Sequence, residues 1–426
     1  MSEFDKVIGY DSIKLELERL CDIIKNPEKY ERLGVKFPNG LVLYGNPGVG
    51  KTLFANCFIN ECGVNSYICR KNKSEEDFIN FIKGTFDEAK KNQPSIILLD
   101  DFDKFANEDK DHKDAKEYVA VQACIDEIKN DKVFVFATAN ELWRVPDSLV
   151  RAGRFDKTIE VQNPRGDDAA KIIDYYLSKK RYVKGIDAVE ISRMLYGRSC
   201  AELEAVINDA GIYAGFENKD KIDMDDIIKA CLRLLYEAPE TIQDDGHFND
   251  EEVAYHEAGH VVLAEVLEPR SVTLVSIGGH DGNINGFAAY YRDTDYWKSF
   301  ELMKIRLLTL LAGKAQFELK YGRYDTGCGS DISRAMNLVR RMVAEYGIVG
   351  FDKCTTSKYN FENSSKLQER IEDSMFDELE KCYMKTKEIL ANNRAFVENI
   401  ASALVQKRML KFNEIQEIKS KSHVYY

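Results

Sequence analysis

The 426-residue chain has no apolar run long enough to cross a bilayer: its longest, Val261 to Ala264 and Leu307 to Leu311, fall far short of the roughly 18 to 20 residues that a spanning helix needs. Its first ten residues carry Glu3, Asp5 and Lys6 without an apolar stretch, which excludes a secretory signal peptide. Positive charge is in deficit. With 60 Lys and Arg against 72 Asp and Glu, the formal charge is -12, which disfavours nucleic acid and anionic membrane surfaces as partners. Proline is scarce at 8 residues, and a chain with 44% hydrophobic and 31% charged residues is globular, not disordered or fibrous. The ten cysteines lack the spacing of a disulfide framework and read as reduced thiols, so the chain is expected to be soluble and cytoplasmic. Histidine is rarer still, at six residues, so any close pair carries information.

The length suggests about three domains. In the first 160 residues, short β-branched runs at Leu41 to Tyr44, Val64 to Cys69, Ile96 to Leu99, Val133 to Ala137 and Thr158 to Val161 alternate with helical periodicity such as Phe78, Ile82, Phe86 and Ala89. That alternation predicts an α/β domain over 1–163 with a parallel sheet covered on both faces. Helical patterns then take over, giving a helical lid subdomain over 164–238, and 239–249, with Gly246 and several acidic residues, reads as a linker. The remainder, 250–426, opens on a long helix capped at Asn249 or Asp250. It adds two strand candidates, Val272 to Ile277 and Phe287 to Tyr291, and is otherwise predicted mainly α-helical.

Directly after the first strand run stands Gly45-Asn46-Pro47-Gly48-Val49-Gly50-Lys51-Thr52, followed by a helical pattern. This is the full P-loop pattern in its proper setting. Backbone N–H groups of such a loop cradle a triphosphate, Lys51 reaches the β and γ phosphates, and the Thr52 hydroxyl is placed for Mg²⁺. Nucleotide hydrolysis also needs a carboxylate at a neighbouring strand end. Asp100 is the candidate for the magnesium-linked group and Asp101 for the base that activates water. Asn140, ending a third strand, is placed to orient the water or touch the γ phosphate.

The long helix after the linker carries His256-Glu257-Ala258-Gly259-His260. Residues four apart share a helix face, so both imidazoles can bind one Zn²⁺ with Glu257 as general base on the water that the zinc activates. A third ligand is required. A further histidine at the metzincin spacing is absent, because positions 263 and 266 hold Leu263 and Val266, and His280, Cys328, Glu318 and Asp331 remain candidates. Asp331 has the favourable feature of opening a helical run, Ile332 to Glu345.

The order of Val7-Ile8-Gly9, the P-loop, Asp100-Asp101, Asn140 and the segment Pro146 to Asp156 resembles the AAA+ ATPases. That resemblance implies that Ile8 and Gly9 contribute to the nucleotide site, and that Arg151 and Arg154 act in trans as arginine fingers in a ring. Adding Ala254 to His260, Thr326 to Ala335 and Arg341 to Gly347, nearly the whole chain resembles the FtsH family of ATP-dependent zinc metalloproteases. The family resemblance implies Asp331 as third zinc ligand, a homo-hexamer, polypeptide substrates held extended along a strand edge near the zinc, and ATP, Mg²⁺ and Zn²⁺ as cofactors.

The expected function is therefore a soluble ATP-dependent zinc endopeptidase. The chain starts at the ATPase module, so no membrane anchor is expected within it. Asp101 stands where the family has glutamate, one methylene longer, which predicts slow ATP hydrolysis. The family's aromatic-hydrophobic-glycine pore triplet has no counterpart in Arg70 to Phe78, and the period of Phe78 with Ile82 and Phe86 makes it a helix-core residue. Two alternatives follow: a zinc peptidase for unstructured polypeptides with slow or regulatory ATP hydrolysis, or a nucleotide-dependent remodelling protein with an inactive protease part.

Overall fold

Five strands form one parallel sheet in the order β2-β3-β4-β1-β5, whose three central strands are apolar runs buried on both faces and whose edge strands β2 and β5 are more polar and largely exposed. They are β1 (Gly40–Tyr44), β2 (Asn65–Cys69), β3 (Ser95–Leu99), β4 (Val133–Ala139) and β5 (Lys157–Glu160). The computed structural model describes residues 2–71, 75–105, 115–151, 153–236, 250–280, 284–291, 299–324, 326–350 and 365–425; the expected linker at 239–249 and residues 72–74 lie outside these. Register pairs Tyr44 with Ala139 and Leu99 with Ala137, so Gly45, Asp100 and Asn140, each one residue beyond its strand, emerge along the same C-terminal rim. In open parallel sheets that rim is where ligands bind.

The helices of this part are α1 (Asp11–Lys25), α2 (Pro27–Glu31), α3 (Lys51–Cys62), α4 (Glu75–Lys91) and α5 (Ala115–Glu127), and α4 buries Phe78, Ile82, Phe86 and Ala89 at the spacing read in the sequence. Leu17, Leu20, Phe54 and Phe58 of α1 and α3 bury one face of the sheet with Phe134 and Phe136. Phe78, Ile82, Val121 and Ile125 of α4 and α5 bury the other with Ile97 and Val135. Phe78 is fully buried, its ring edge-on to Phe105 at 5.0 Å. Next come α6 (Gly166–Ser178), α7 (Ala188–Met194) and α8 (Cys200–Phe216). The last opens on a capping box in which Ser199 and Glu202 satisfy each other's backbone N–H groups.

Contacts divide the described chain into two compact units, 1–222 and 223–426. The second holds α9 (Met224–Tyr236), α10 (Asp250–Leu267), β6 (Val272–His280), β7 (Ile284–Tyr290), α11 (Phe300–Tyr321), α12 (Gly329–Arg340), α13 (Ser365–Asn392), α14 (Arg394–Lys407), β8 (Met409–Lys411) and α15 (Phe412–Lys421). Every residue of α10 from Ala254 to Val266 is buried, as suits a helix that packs on α11, α14, β6 and β7 at once. The antiparallel sheet has the order β7-β6-β8, with β7 at its edge. β8 is an addition to the sequence reading, which expected a mainly helical remainder and named no strand there. Its three residues are too few for a period-2 signal, and they pair with β6 after α14 stops at Arg408, a residue with φ of 61°. The α/β sheet domain followed by a mainly helical one is the architecture expected from the sequence. Among the described residues, no helix is long and apolar enough to cross a membrane.

Candidate functional site

In the second unit, the turn-by-turn spacing of α10 sets the imidazoles of His256 and His260 on one face, with their Nε2 atoms 3.2 Å apart. Asp331, in the first turn of α12, brings its Oδ2 to 3.2 Å from His260 Nε2 and 3.4 Å from His256 Nε2. His260 Nδ1 lies 2.8 Å from the Thr309 carbonyl. A carbonyl only accepts, so Nδ1 carries the proton and Nε2 presents its lone pair to the cluster. At most one proton can be shared between each pair of the three converging atoms, whereas a single cation satisfies all of them, and two nitrogens with one carboxylate form a donor set suited to Zn²⁺. All three residues are buried, and their ligand atoms lie within 4.8 Å of one another.

Glu257, the next residue on α10, is buried as well. Burial pushes its carboxyl up to about 7, an effect that His256 opposes and Asp331 reinforces. For Asp331 burial also acts upward, but its contacts with the His256 and His260 imidazoles and the nearby Arg334 guanidinium prevail and hold it well below the usual carboxylate range. Two glycines that motif reasoning missed shape the site. A Cβ on Gly313 of α11 would lie 2.4 Å from His256 Nε2 and 2.6 Å from His260 Nε2, so only glycine lets α11 pass the imidazoles at this distance. A Cβ on Gly286 of the edge strand β7 would lie 2.9 Å from Glu257 Oε1, which puts the strand directly against that carboxyl. Of the other ligand candidates, Glu318 is taken up by the Tyr383 hydroxyl at 2.5 Å and Lys387 at 2.9 Å, and Cys328 caps α12 outside the cluster. His280 ends β6, and its side chain lies outside the described residues.

In the first unit, the P-loop links β1 to α3. Lys51 Nζ uses all three of its donors, on the carbonyls of Gly45 (2.7 Å) and Asn46 (2.9 Å) and on Asn140 Oδ1 (2.9 Å). Burial lowers its pKa, and the carboxylates of Asp103, Asp101 and Asp100 oppose that shift. Asp100 is buried, accepting from the Thr138 hydroxyl at 2.7 Å and pairing with Arg70. Asp101 sits in the left-handed region at φ 56°, donates its backbone N–H to the Thr138 hydroxyl oxygen at 2.9 Å, and pairs with Lys104 at 2.7 Å. Asn140 is fixed by its own N–H, which donates to Asp103 Oδ2 at 3.1 Å. Ile8, Pro47 to Thr52, Asp101 and Asn140 line one cavity of about 820 Å³, within the size range of ligand sites. Tyr10, Tyr176, Lys179 and Cys200, which no motif announced, line it too. Gly9 packs on Asp168, whose carboxylate also accepts the Tyr10 N–H.

The two arginines fare differently. Arg151 is exposed. Arg154 is 5% exposed and forks onto Asp126, with Nε to Oδ1 at 2.9 Å and Nη2 to Oδ2 at 2.7 Å, while Nη1 donates to the Ser148 carbonyl. Within this chain it is therefore held in place, not presented to solvent.

Residues 41–163 match the ATPase family associated with various cellular activities (AAA), and residues 247–418 match peptidase family M41. Over 97% of its length the chain is 26% identical to the ATP-dependent zinc metalloprotease FtsH 2 of Thermoanaerobacter sp. (strain X514), covering 82% of that protein. It is 28% identical to the ATP-dependent zinc metalloprotease FtsH of Bacillus subtilis (strain 168), over 98% of this chain and 69% of the other. With the ATP-dependent zinc metalloprotease YME1L1 of Mus musculus it shares 28% identity over 97% of this chain and 59% of the other.

Proposed function

Because the chain belongs to the FtsH family of ATP-dependent zinc metalloproteases, we propose that it works as a homo-hexameric ring that delivers polypeptides to its zinc centre. The convergence of His256, His260 and Asp331 beside the buried Glu257 is the observation that carries this reading. Zinc held by those three residues supplies Lewis acidity to water and to the peptide carbonyl. Glu257 takes a proton from the attacking water and returns it to the leaving amine, roles that suit a carboxyl poised near neutrality. A substrate strand added to the edge of β7 would pass the base at Gly286.

On the ATPase side, Lys51 exchanges its three carbonyl partners for the β and γ phosphates of ATP. Thr52 and Asp100 hold Mg²⁺, the backbone of Gly45 to Gly50 with Ile8 and Gly9 binds the nucleotide, Asp101 activates the attacking water, and Asn140 orients it. The helical part from residue 164 onward closes the cavity with Tyr176 and Lys179. Arg151 reaches the neighbouring subunit's nucleotide, and Arg154 does so only after leaving Asp126.

A second reading is a peptidase of unstructured polypeptides in which ATP hydrolysis is slow or regulatory. The short Asp101 carboxylate paired with Lys104, and a Phe78 fully buried in the core, favour it. The test compares ATP with a nonhydrolysable analogue on unfolded casein and on a stably folded protein. Cleavage that needs hydrolysis on both substrates selects the first reading; equal cleavage of casein with the analogue selects the second. Casein left intact by the wild type, or cut equally by Glu257→Gln, removes both.

A further inference from the structure

The three converging ligands differ in what holds them. His260 is fixed by its Nδ1–H on the Thr309 carbonyl, and His256 Nδ1 is buried with no hydrogen-bond partner among the described residues, its ring packed against Gly313 instead. Asp331 is the one ligand with two equivalent donor atoms, and a free carboxylate can present either or both. The N-cap of α12, Cys328, makes no side-chain capping bond. The selection comes from the same helix one turn on. Arg334 Nη2 donates to Asp331 Oδ1 at 2.5 Å, while Oδ2 faces both imidazoles. Arg334 is 62% exposed at the side chain and Asp331 10%, so the guanidinium stands between the buried carboxylate and solvent.

We propose that Arg334 is a positioning residue of the peptidase centre: by occupying Asp331 Oδ1 it commits Oδ2 to the metal and holds the carboxylate in one rotamer. The inference rests on the reading of His256, His260 and Asp331 as zinc ligands. Two effects of opposite sign act through this contact. The guanidinium charge repels a dication and on its own weakens zinc binding, whereas orientation of the ligand strengthens it. At an exposed arginine the charge effect is screened by water, and the hydrogen bond to a buried carboxylate is not. Orientation therefore prevails, on the scale of about 10- to 100-fold in metal affinity that groups holding a ligand in place typically contribute.

The test is zinc affinity, measured on the full chain by competition with a chromophoric chelator, for wild type, Arg334→Met, Arg334→Lys and Asp331→Asn, with thermal unfolding of the zinc-free proteins alongside. Expected is a loss of about tenfold or more in Arg334→Met, substantial recovery in Arg334→Lys, which restores a donor and the charge, and unchanged melting of the zinc-free forms. Zinc affinity in Arg334→Met equal to or tighter than wild type overturns the proposal. So does a loss that lysine does not relieve, or one that tracks a fall in zinc-free stability. If Asp331→Asn binds zinc as tightly as wild type, it is the ligand assignment that fails, which separates the two outcomes.

Discussion

In the proposed role of general base, Glu257 must be ionised before it can take a proton from water. Burial raises its carboxyl to about 7, so the fraction in the working form falls as pH drops through that value. Peptidase kcat/KM is expected to decline about tenfold per pH unit below about 7, and a pH profile whose acid limb lies near an ordinary carboxylate value would show that Glu257 is solvated or is not the base. Glu257→Gln keeps shape and burial but cannot accept the proton; turnover is expected to fall by about 10² to 10⁴ with one zinc per chain retained, as read by metal analysis. Gly313→Ala acts on the metal itself. The added methyl would lie 2.4 Å from His256 Nε2, so zinc content should fall well below one per chain, and a full equivalent of zinc in the variant would contradict the close approach of α11. The paired histidines and Glu257 were legible because a helix sets their geometry within five consecutive residues. Gly313 was not, because its requirement arises only where a second helix crosses them, and neither was the Thr309 carbonyl, a backbone atom on which side-chain identity says nothing.

Among the elements, the segment from Pro146 to Asp156 shows how a motif can carry two unlike residues. Arg154 reaches back to Asp126 at the end of α5, and its guanidinium holds that carboxyl well below the usual range. Arg154→Ala is expected to destabilise the first unit by about 1–3 kcal/mol, discounted because Asp126 is partly exposed. Arg151→Ala, at an exposed site, should leave melting nearly unchanged yet lower ATPase turnover of the assembled protein by about 10³ or more if it is a trans-acting finger. Equal melting losses in both variants would remove the distinction. The central strands β1, β3 and β4 were readable because each is a short apolar run that ends next to a candidate nucleotide-site residue, Gly45, Asp100 or Asn140. Arg154's pairing was not, since Asp126 lies 28 positions away and carries no motif of its own. Asp331 stands between these cases: 71 positions from His260, it was one of four open candidates until the family resemblance singled it out.

At the scale of the whole molecule, the hydrophobic cores sort cleanly, those around the parallel sheet within 1–222 and the one around α10 within 223–426. Each ligand therefore stabilises its own core. MgATP at about a hundred times its Kd is expected to stabilise the first unit by about 2.7 kcal/mol, and zinc chelation to lower the melting of the second, a pattern that calorimetry with each ligand added singly would reveal or refute. The position of the zinc ligands on α10 has a further consequence. His256, Glu257 and His260 lie among the residues of the central core helix, so the chemistry depends on the integrity of that core. Opening that core would part the two imidazoles, so loss of zinc is expected to accompany unfolding of α10.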